Sequence, residues 1–368
     1  MSAPPTPVHL WIRSESRATE RRAPIVPADA AQLVDQGVPI TVEESAQRIF
    51  RTSEYAEAGC TIAPEGAWVD APPDAYIVGI KELPNEPAAL RHAHLYFAHA
   101  YKGQAGAAEV LGRFARGGGE LLDVEYLTVD GRRVVAFGYW AGYVGASLSL
   151  LQHAGGLIAP LQPTSRAQLD AAVKRTAGSP RKALVIGARG RSGVGACDAL
   201  RAAGWGVTRW GLADTRVLDH EAIRGHDVLV NCVVTHRPQE PFVTCADIDV
   251  ADRRLRVIAD VTCDVTSEHN VIAINTAITT WSDPVRRFVP SVSEANTSTE
   301  DPATSSSASD GPPQKRPVEV IAIDNLPSLL PWEASVSFSA DLVPWIPDLA
   351  GRSGPFAAAR GAFERAAY

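Results

Sequence analysis

Short apolar segments recur along the chain and alternate with segments whose apolar residues are spaced for one face of a helix. Residues 8–13 alternate in the manner of a strand, residues 27–36 have a helical pattern that begins at a proline, and residues 40–42 are again apolar. Further apolar runs occupy residues 76–80 and 95–98. Strands that alternate with helices in this way predict a parallel sheet.

The same alternation restarts in the second half of the chain. Its predicted strands are residues 183–186, 206–210, 227–231, 255–260 and 318–323. Between the two halves, residues 134–165 contain no Asp, Glu, Lys or Arg. A membrane helix needs about 20 predominantly apolar residues, and glycine, serine and glutamine interrupt this stretch. It predicts a buried helix packed closely on other backbone, as between two domains.

These patterns predict an α/β protein with two Rossmann-like parallel-sheet domains and a cleft between them. We assign residues 1–138 plus 327–368 to a substrate and catalytic domain, and residues 139–326 to a dinucleotide-binding domain. Residues 291–317 are mostly Ser, Thr, Pro, Asp, Glu and Ala. They offer too little apolar surface to offset the entropy of ordering them, which predicts a disordered surface insertion.

A glycine-rich segment follows the strand predicted at residues 183–186. Gly187, Gly190 and Gly193 precede a predicted helix that begins near Val194 and continues to residue 203. Glycine allows a tight turn and a close approach to a pyrophosphate, which then binds at the helix N-terminus. The spacing differs from G-x-G-x-x-G, so an ordinary glycine-rich turn is the alternative. The segment predicts a nucleotide-binding loop.

Two side chains in the first half suit amine chemistry. The strand at residues 76–80 delivers Lys81 into a turn, where its amine faces a cleft. Desolvation or a neighbouring cation turns a lysine into a base near neutrality. His99 changes protonation state near neutral pH without a large shift. The alternatives are a surface lysine at a strand end and a hydrogen-bonded histidine in the core.

Composition fits an enzyme of about two domains. The 368 residues are 45% apolar and carry a net charge of −7, with acidic and basic residues interspersed. This charge pattern lacks the basic patch that is typical of proteins that bind nucleic acid. The five cysteines lack the spacing of a metal site or a disulfide framework, so we expect no metal. No signal peptide or membrane span is recognised, which predicts a cytoplasmic protein without a membrane partner.

Several long motifs occur between residue 8 and the last helix, outside the predicted insertion. They are Arg13-x-Glu15, Glu20-x-Arg22-x-x-x-x-Pro27, Gly79-Ile80-Lys81-Glu82-x-Pro84, Phe97-Ala98-His99-x-Tyr101-Lys102-x-Gln104-Ala105-Gly106, Gly131-Arg132-Arg133-Val134-x-Ala136-Phe137-Gly138 and Ile323-Asp324-x-Leu326-Pro327-Ser328-Leu329-Leu330-Pro331. In these motifs the chain resembles the NAD-dependent, lysine-forming saccharopine dehydrogenases, distant relatives of alanine dehydrogenase.

The resemblance implies oxidative deamination of saccharopine with NAD, which gives lysine, 2-oxoglutarate and NADH in the final step of the α-aminoadipate pathway to lysine. It implies that Lys81 and His99 are the acid–base pair. The implied partners are small molecules, namely saccharopine, lysine and 2-oxoglutarate.

The resemblance also implies a set of binding residues. Arg22 and Arg133 bind substrate carboxylates through their guanidinium forks, and Glu125 neighbours Lys81. A structural salt bridge is the alternative role for Lys102 and Glu125, and a structural turn for Asp324. The remaining implied substrate residues are Lys102, Gln104, Phe137, Thr262, Cys263 and Asp264. The implied cofactor residues are Arg132, Gly187, Gly190, Arg191, Gly193, Thr215, Val234, Val261, Ile323, Asp324 and Leu326.

Three positions depart from the family pattern. Gly211 follows the predicted strand 206–210, where the family has an aspartate that bonds the ribose 2′-hydroxyl. Asp214 is a candidate substitute, and NADP stays open beside NAD. Ser192 stands where fungal members have cysteine, which leaves Cys232 without that partner, and Trp332 stands where arginine is usual.

Two other functions stay open. One is a different amino-acid dehydrogenase on the same scaffold, acting on a smaller substrate such as alanine. The other is a non-catalytic dinucleotide-binding regulator. The oligomeric state is left open by the sequence.

Overall fold

The computed structural model describes residues 8–101, 106–175, 181–235, 237–289, 316–351 and 353–367. The chain divides into a first unit, Met1–Phe137 with Leu330–Tyr368, and a second unit, Gly138–Leu329. Each unit is built around one six-stranded sheet, so the predicted α/β class is confirmed. The predicted insertion lies outside the described residues except for its last two positions.

The sheet of the first unit is entirely parallel and has the strand order β3-β2-β1-β4-β5-β6. Its strands are β1 (His9–Ile12), β2 (Ile40–Glu43), β3 (Thr61–Ala63), β4 (Ala75–Val78), β5 (Ala93–Tyr96) and β6 (Glu120–Asp123). Its helices in this part of the chain are α1 (Pro27–Asp35), α2 (Thr52–Glu57) and α3 (Ala107–Gly117), with 3-10 helices Ala67–Asp70 and Val124–Tyr126. A small antiparallel pair, β7 (Thr128–Val129) and β8 (Arg132–Arg133), follows.

Both faces of this sheet are buried, as expected for parallel strands covered by helices. Leu10 and Ile12 of β1 belong to one core cluster. Trp11, between them, belongs to a second cluster together with Ile77 of β4. Successive strand residues point to opposite faces, so the apolar runs in the sequence reflect two cores and not one.

The second unit has a mixed sheet of order β10-β9-β11-β12-β14-β13. Its strands are β9 (Lys182–Ile186), β10 (Gly206–Trp210), β11 (Val228–Asn231), β12 (Val257–Asp260), β13 (Arg286–Phe288) and β14 (Val318–Ile321). Five strands are parallel, and the edge strand β13 pairs antiparallel with β14. The expectation of a wholly parallel sheet is therefore corrected at this edge.

The uncharged stretch forms a helix, and its close partner lies in the same unit. The helices are α4 (Gly138–His153), α5 (Arg166–Lys174), α6 (Arg191–Ala202), α7 (His220–Arg224) and α8 (Cys245–Asp249), with the 3-10 helix Leu326–Leu329. A Cβ at Gly142 of α4 would lie 1.8 Å from the Ser192 carbonyl oxygen, and one at Gly195 of α6 would lie 1.9 Å from the Tyr139 carbonyl oxygen. Small residues therefore let two backbones touch. Within the described residues, we find no helix long and apolar enough to cross a membrane.

The chain ends with helices α9 (Pro331–Leu342) and α10 (Gly354–Ala367), with a 3-10 helix Val343–Asp348 between them. They belong to the first unit. Phe338 of α9 and Phe356 of α10 lie in the same core cluster as Leu10. The first unit is thus completed by residues more than 300 positions from its first strand.

Candidate active site

The parallel strands of the first unit end at one edge of the sheet, where the predicted catalytic residues gather. Lys81 follows β4, His99 follows β5 and Glu125 follows β6. These three strands are consecutive neighbours in the sheet. Residues that follow adjacent parallel strands are therefore brought together although the sequence separates them.

The backbone of Lys81 is held by a buried ion pair. Glu15 accepts hydrogen bonds from the amides of Ile80 (2.7 Å) and Lys81 (3.0 Å). Arg13 pairs with Glu15 at 3.3 Å and also donates to the Lys81 carbonyl. A Cβ at Gly79 would lie 2.5 Å from Arg13 Nε. The pair therefore fixes the turn on both its amide and its carbonyl side, and only glycine leaves room for it.

Burial raises the pKa of Glu15, and the positive charge of Arg13 opposes that rise. We expect Glu15→Gln to lower the free energy of unfolding by about 3 kcal/mol, because it leaves a buried arginine without its counter-charge. The amides of Ile80 and Lys81 bond to two different oxygens of Glu15, and a glutamine side chain has only one oxygen. The backbone at Lys81 would then be held less firmly, so kcat should fall while the affinity for dinucleotide stays unchanged. Denaturant unfolding and steady-state kinetics measure the two effects.

Glu65→Gln is the matched control, because Glu65 is an exposed acid of the same unit that bonds the Ser14 hydroxyl. It should leave both kcat and stability near the wild-type values. A Glu15→Gln protein with wild-type kcat would contradict the positioning role of this pair.

His99 has a left-handed backbone, with φ of 51°. Its amide donates to Asp123 Oδ2 at 3.0 Å, and Asp123 Oδ1 accepts from the Glu125 amide at 2.9 Å. Asp123 is fully buried, and burial raises its pKa. A strained backbone persists where its surroundings hold it. Asp123 therefore fixes His99 and Glu125 together.

The side chains of His99 and Glu125 continue this arrangement. His99 Nδ1 lies 3.4 Å from Glu125 Oε2, and Arg133 Nη2 lies 2.9 Å from Glu125 Oε1. The His99 side chain is 51% exposed, and its ring stacks on Phe97. The histidine is therefore accessible to a ligand, and a carboxylate links it to Arg133, which was predicted to bind substrate.

Arg22 is less exposed to solvent than its predicted role in substrate binding suggested. It is 3% exposed and binds Glu20 through two hydrogen bonds of 2.8 and 2.5 Å. Its guanidinium lies 4.0 Å from the centre of the Phe137 ring, which stacks on Phe338 at 4.3 Å. One edge of the fork is thus occupied by protein, and a substrate carboxylate would have to use the other.

The other predicted residues of the first unit are Arg132, Lys102 and Gln104. Arg132 is exposed on β8. Lys102 and Gln104 lie outside the described residues.

The glycine-rich segment of the second unit forms a tight turn between β9 and α6. Gly187 has φ of +80°, and the Gly190 amide bonds the Gly187 carbonyl at 3.0 Å. A Cβ at Gly193 would lie 2.2 Å from that same carbonyl oxygen. Helix α6 begins at Arg191, three residues before the predicted start. The turn thus leaves backbone amides at the start of a 12-residue helix, and this cradle fits a pyrophosphate.

The end of β10 carries a carboxylate although its next residue is Gly211. Asp214 Oδ2 accepts a hydrogen bond from the Gly211 amide at 2.7 Å. A Cβ at Gly211 would lie 3.9 Å from that oxygen and 3.8 Å from Arg189 Nε. Thr215 closes the same turn by donating to the Leu212 carbonyl at 3.4 Å. An acid and a cation therefore both lie beside this strand end.

The residues that follow β12 form a compact polar turn. The hydroxyl of Thr262 donates to Asp260 Oδ1 at 2.7 Å, and burial raises the pKa of Asp260. Cys263 has a left-handed backbone with φ of 53°. Val261 donates its amide to the Asn231 carbonyl. Asp264, the last predicted member, is half-buried.

Predicted cofactor residues near the ends of β11 and β14 differ in exposure. Val234 is 53% exposed, and Asp324 is exposed. Ile323 and Leu326 are buried in the second unit, so their side chains are part of its hydrophobic core. Any contact of these two residues with a dinucleotide must therefore use the backbone.

Sequence reasoning missed the functional arrangement around Arg13, Glu15 and Asp123. Charged residues directly after apolar strands were the available signal, because such positions lie at the carboxyl edge of a parallel sheet. Within the described ranges, we find no cluster of three or more His, Cys, Asp or Glu side chains that could hold a metal.

Comparisons with known proteins show which family this chain resembles. A model of the family "Alanine dehydrogenase/PNT, N-terminal domain" matches residues 11–144. A saccharopine dehydrogenase (NAD(+), L-lysine-forming) of Schizosaccharomyces pombe is 39% identical over 357 residues, which cover 91% of each chain. One from Neurospora crassa is 41% identical over 358 residues, which cover 92% of this chain and 90% of the relative. Among solved structures, an L-alanine dehydrogenase is similar in fold, with a TM-score of 0.61 at 14% identity, covering 98% of this chain and 94% of that chain.

Proposed function

Since the chain belongs to the family of NAD(+)-dependent, L-lysine-forming saccharopine dehydrogenases, we propose that it oxidises L-saccharopine with NAD⁺ and hydrolyses the resulting imine with water, which gives L-lysine, 2-oxoglutarate, NADH and a proton. It is an oxidoreductase that acts on a CH–NH bond, and its product places it in lysine biosynthesis. The observation that carries this proposal is the placement of Lys81 and His99 after neighbouring strands at one sheet edge.

The reaction requires proton transfers at the secondary amine, at the attacking water and at the departing lysine amine. NAD⁺, when bound, would supply the acceptor for the hydride that leaves the glutamyl α-carbon of the substrate. Lys81 takes the proton from the secondary amine, so that an imine forms. His99 then removes a proton from the attacking water and later protonates the lysine amine as the carbinolamine collapses. The hydrogen bonds of Glu15 and Asp123 support these roles, because they fix the backbone at both residues.

Substrate recognition requires cations, because saccharopine carries three carboxylates. Arg133 is partly exposed and its guanidinium is oriented by Glu125. We assign to it a carboxylate of the substrate, bound through the part of the fork that Glu125 does not use. Arg22 binds a second carboxylate through the edge directed away from Glu20, and Phe137 forms the wall beneath it. Lys102, Gln104, Thr262, Cys263 and Asp264 complete the proposed set of substrate residues.

NAD is the cofactor, and we assign its pyrophosphate to the glycine turn of the second unit. We assign the first unit to substrate binding and catalysis and the second to dinucleotide binding. The proposed pyrophosphate site is formed by the amides at the start of α6 together with Gly187, Gly190 and Gly193. A Cβ at Gly187 or Gly193 would lie 2.7 or 2.2 Å from other protein atoms and would displace the turn. The other proposed cofactor contacts are Arg132, Arg191, Thr215, Val234, Val261, Ile323, Asp324 and Leu326. The cytoplasmic location remains a prediction, which fractionation of the source cells would test.

One assay compares the proposed function with its alternatives. The purified protein is supplied with NAD⁺ and either saccharopine or alanine, and NADH absorbance gives kcat/KM for each. We expect turnover with saccharopine and little with alanine, because alanine has a single carboxylate and cannot pair with both Arg133 and Arg22. Preference for alanine would favour another amino-acid dehydrogenase. Absence of turnover with both would favour a dinucleotide-binding regulator.

Asp214 gives a separate prediction about cofactor choice. One of its carboxylate oxygens would lie 3.9 Å from a Cβ at position 211, so we assign to Asp214 the hydrogen bond to the ribose 2′-hydroxyl. Asp214→Asn should weaken NADH binding by roughly tenfold, the loss of one charge-assisted hydrogen bond. The ratio of NADPH to NADH affinity should rise, because the repulsion of the 2′-phosphate disappears.

Fluorescence titration with NADH and NADPH measures both affinities. Glu221→Gln is the control, since Glu221 is an exposed acid of α7 in the same unit. It should leave the ratio unchanged. An unchanged ratio in Asp214→Asn would remove this residue from cofactor selection.

A further inference from the structure

A charged pocket lies at the opposite edge of the second-unit sheet from the glycine turn. Its volume is about 460 Å³, and it is lined by five arginines, one histidine and two aspartates among other residues. The arginines come from segments that precede strands: Arg181 before β9, Arg253, Arg254 and Arg256 before β12, and Arg316 before β14. The pocket therefore belongs to the edge where parallel strands begin.

Two of the five arginines form hydrogen bonds or ion pairs with other groups of the protein. Arg253 donates to the carbonyls of Ile248 (2.8 Å) and Leu255 (2.6 Å). Arg254 binds both carboxylate oxygens of Asp227, at 3.0 and 2.9 Å. These two guanidinium groups form the wall of the pocket, and Arg254 neutralises one of its two acids.

The other three arginines leave a surplus of positive charge. Arg181 lies 3.1 Å from His153 Nδ1. In the part of the chain that the structure describes, Arg256 and Arg316 have no carboxylate within ion-pair distance. Burial, together with the positive charges of Arg181 and Arg256, lowers the pKa of His153 to about 4. The imidazole is therefore neutral at pH 7 and accepts a hydrogen bond from Arg181.

We propose that this pocket is a binding site for a small anion with two or more negative charges, held by Arg181, Arg256 and Arg316. Guanidinium forks bind phosphate and carboxylate oxygens in pairs, so polyphosphates and polycarboxylates share the required chemistry. A bound anion removes the mutual repulsion of three cations gathered around one concavity. The site is separate from the glycine turn, since β9, β11, β12 and β14 run from one edge to the other.

Calorimetric titration with pyrophosphate tests the proposal on protein saturated with NADH, so that the glycine turn is already filled. We expect one pyrophosphate per chain. The double variant Arg256→Gln with Arg316→Gln should bind it at least about tenfold more weakly, because it loses two charge-assisted interactions. A parallel titration with citrate shows whether the site prefers phosphate or carboxylate oxygens, and binding of either anion supports the proposal when the double variant weakens that binding.

Two control variants separate this site from other cationic surfaces. Arg133→Gln changes the proposed substrate site of the first unit, and Arg201→Gln changes an exposed arginine of α6 that pairs with Asp198. Both should bind pyrophosphate as the wild type does. The single variant Arg316→Gln changes an exposed residue. We expect it to bind pyrophosphate more weakly while its unfolding midpoint stays unchanged, which would show that the site is lost without loss of folding.

Three results would overturn the proposal. They are absence of pyrophosphate and citrate binding to the wild type, wild-type affinity in the double variant, and loss of binding in Arg133→Gln.

Discussion

Replacement of Lys81 by methionine should lower kcat for saccharopine oxidation by about two to four orders of magnitude, the usual worth of a positioned acid–base group. Methionine keeps much of the length and apolar character of the side chain but cannot accept a proton. Its backbone stays held by Glu15 and Arg13, because those contacts use only the amide and carbonyl of residue 81. The affinity for NADH should therefore remain near the wild-type value.

His99→Gln should reduce kcat by a similar factor, because glutamine retains hydrogen bonding without proton transfer. Lys174→Met is the control for the lysine, since Lys174 is an exposed residue of α5, and it should retain wild-type kcat. Steady-state kinetics with a separate NADH titration measure both parameters. Near-normal kcat in the double variant of Lys81 and His99 would exclude them as the acid–base pair.

Replacement of Gly193 by alanine should lower NADH affinity on the order of a hundredfold. The added Cβ would lie 2.2 Å from the Gly187 carbonyl oxygen, and a backbone atom cannot yield without moving the turn. The displaced amides would lose hydrogen bonds to the pyrophosphate, each worth about 1.5–3 kcal/mol when the acceptor is charged. The same overpacking should lower stability by about 1–3 kcal/mol.

Gly190→Ala is the matched control within the same turn. Its φ is −75°, and the nearest atom to an added Cβ is 3.4 Å away. We expect this variant to keep wild-type stability, measured by denaturant unfolding. Equal stability and equal NADH affinity in Gly193→Ala and the wild type would contradict the role of close backbone approach in this turn.

The central strands were predictable because they are buried on both faces and appear as continuous apolar runs. Strand β9 has four fully buried residues after its first, and the sequence predicts it directly. Strand β6 has only two leucines between acids, β3 has three residues, and β13 begins with two arginines. Such short strands near or at sheet edges carry too few apolar residues for a periodic signal.

The chemistry of the site was predictable only where it lies in one segment. The glycine turn and the motifs of Lys81 and His99 are local. The contacts of Glu15 with Lys81 join residues 66 positions apart, and the sheet topology alone creates them. The burial of Arg22 against Glu20 also depends on packing from α9, whose Phe338 stacks on Phe137.

At Gly211 the sequence named a candidate but could not place it. No acid follows the second strand of the dinucleotide fold directly, and Asp214 was the candidate substitute. The structure places the Asp214 carboxylate against the Gly211 amide, because the following turn folds back on the strand end. A carboxylate therefore lies beside this strand end, and its role in cofactor choice stays a prediction.

The central claim is that the chain oxidises saccharopine at the glutamyl α-carbon, and isotope labelling tests it most directly. Saccharopine carrying deuterium at that carbon is incubated with NAD⁺ and the wild-type protein, and the products are analysed by mass spectrometry. We expect deuterated NADH together with equal amounts of lysine and 2-oxoglutarate. Unlabelled NADH with glutamate as a product would place the oxidation at the lysyl ε-carbon and would contradict this account.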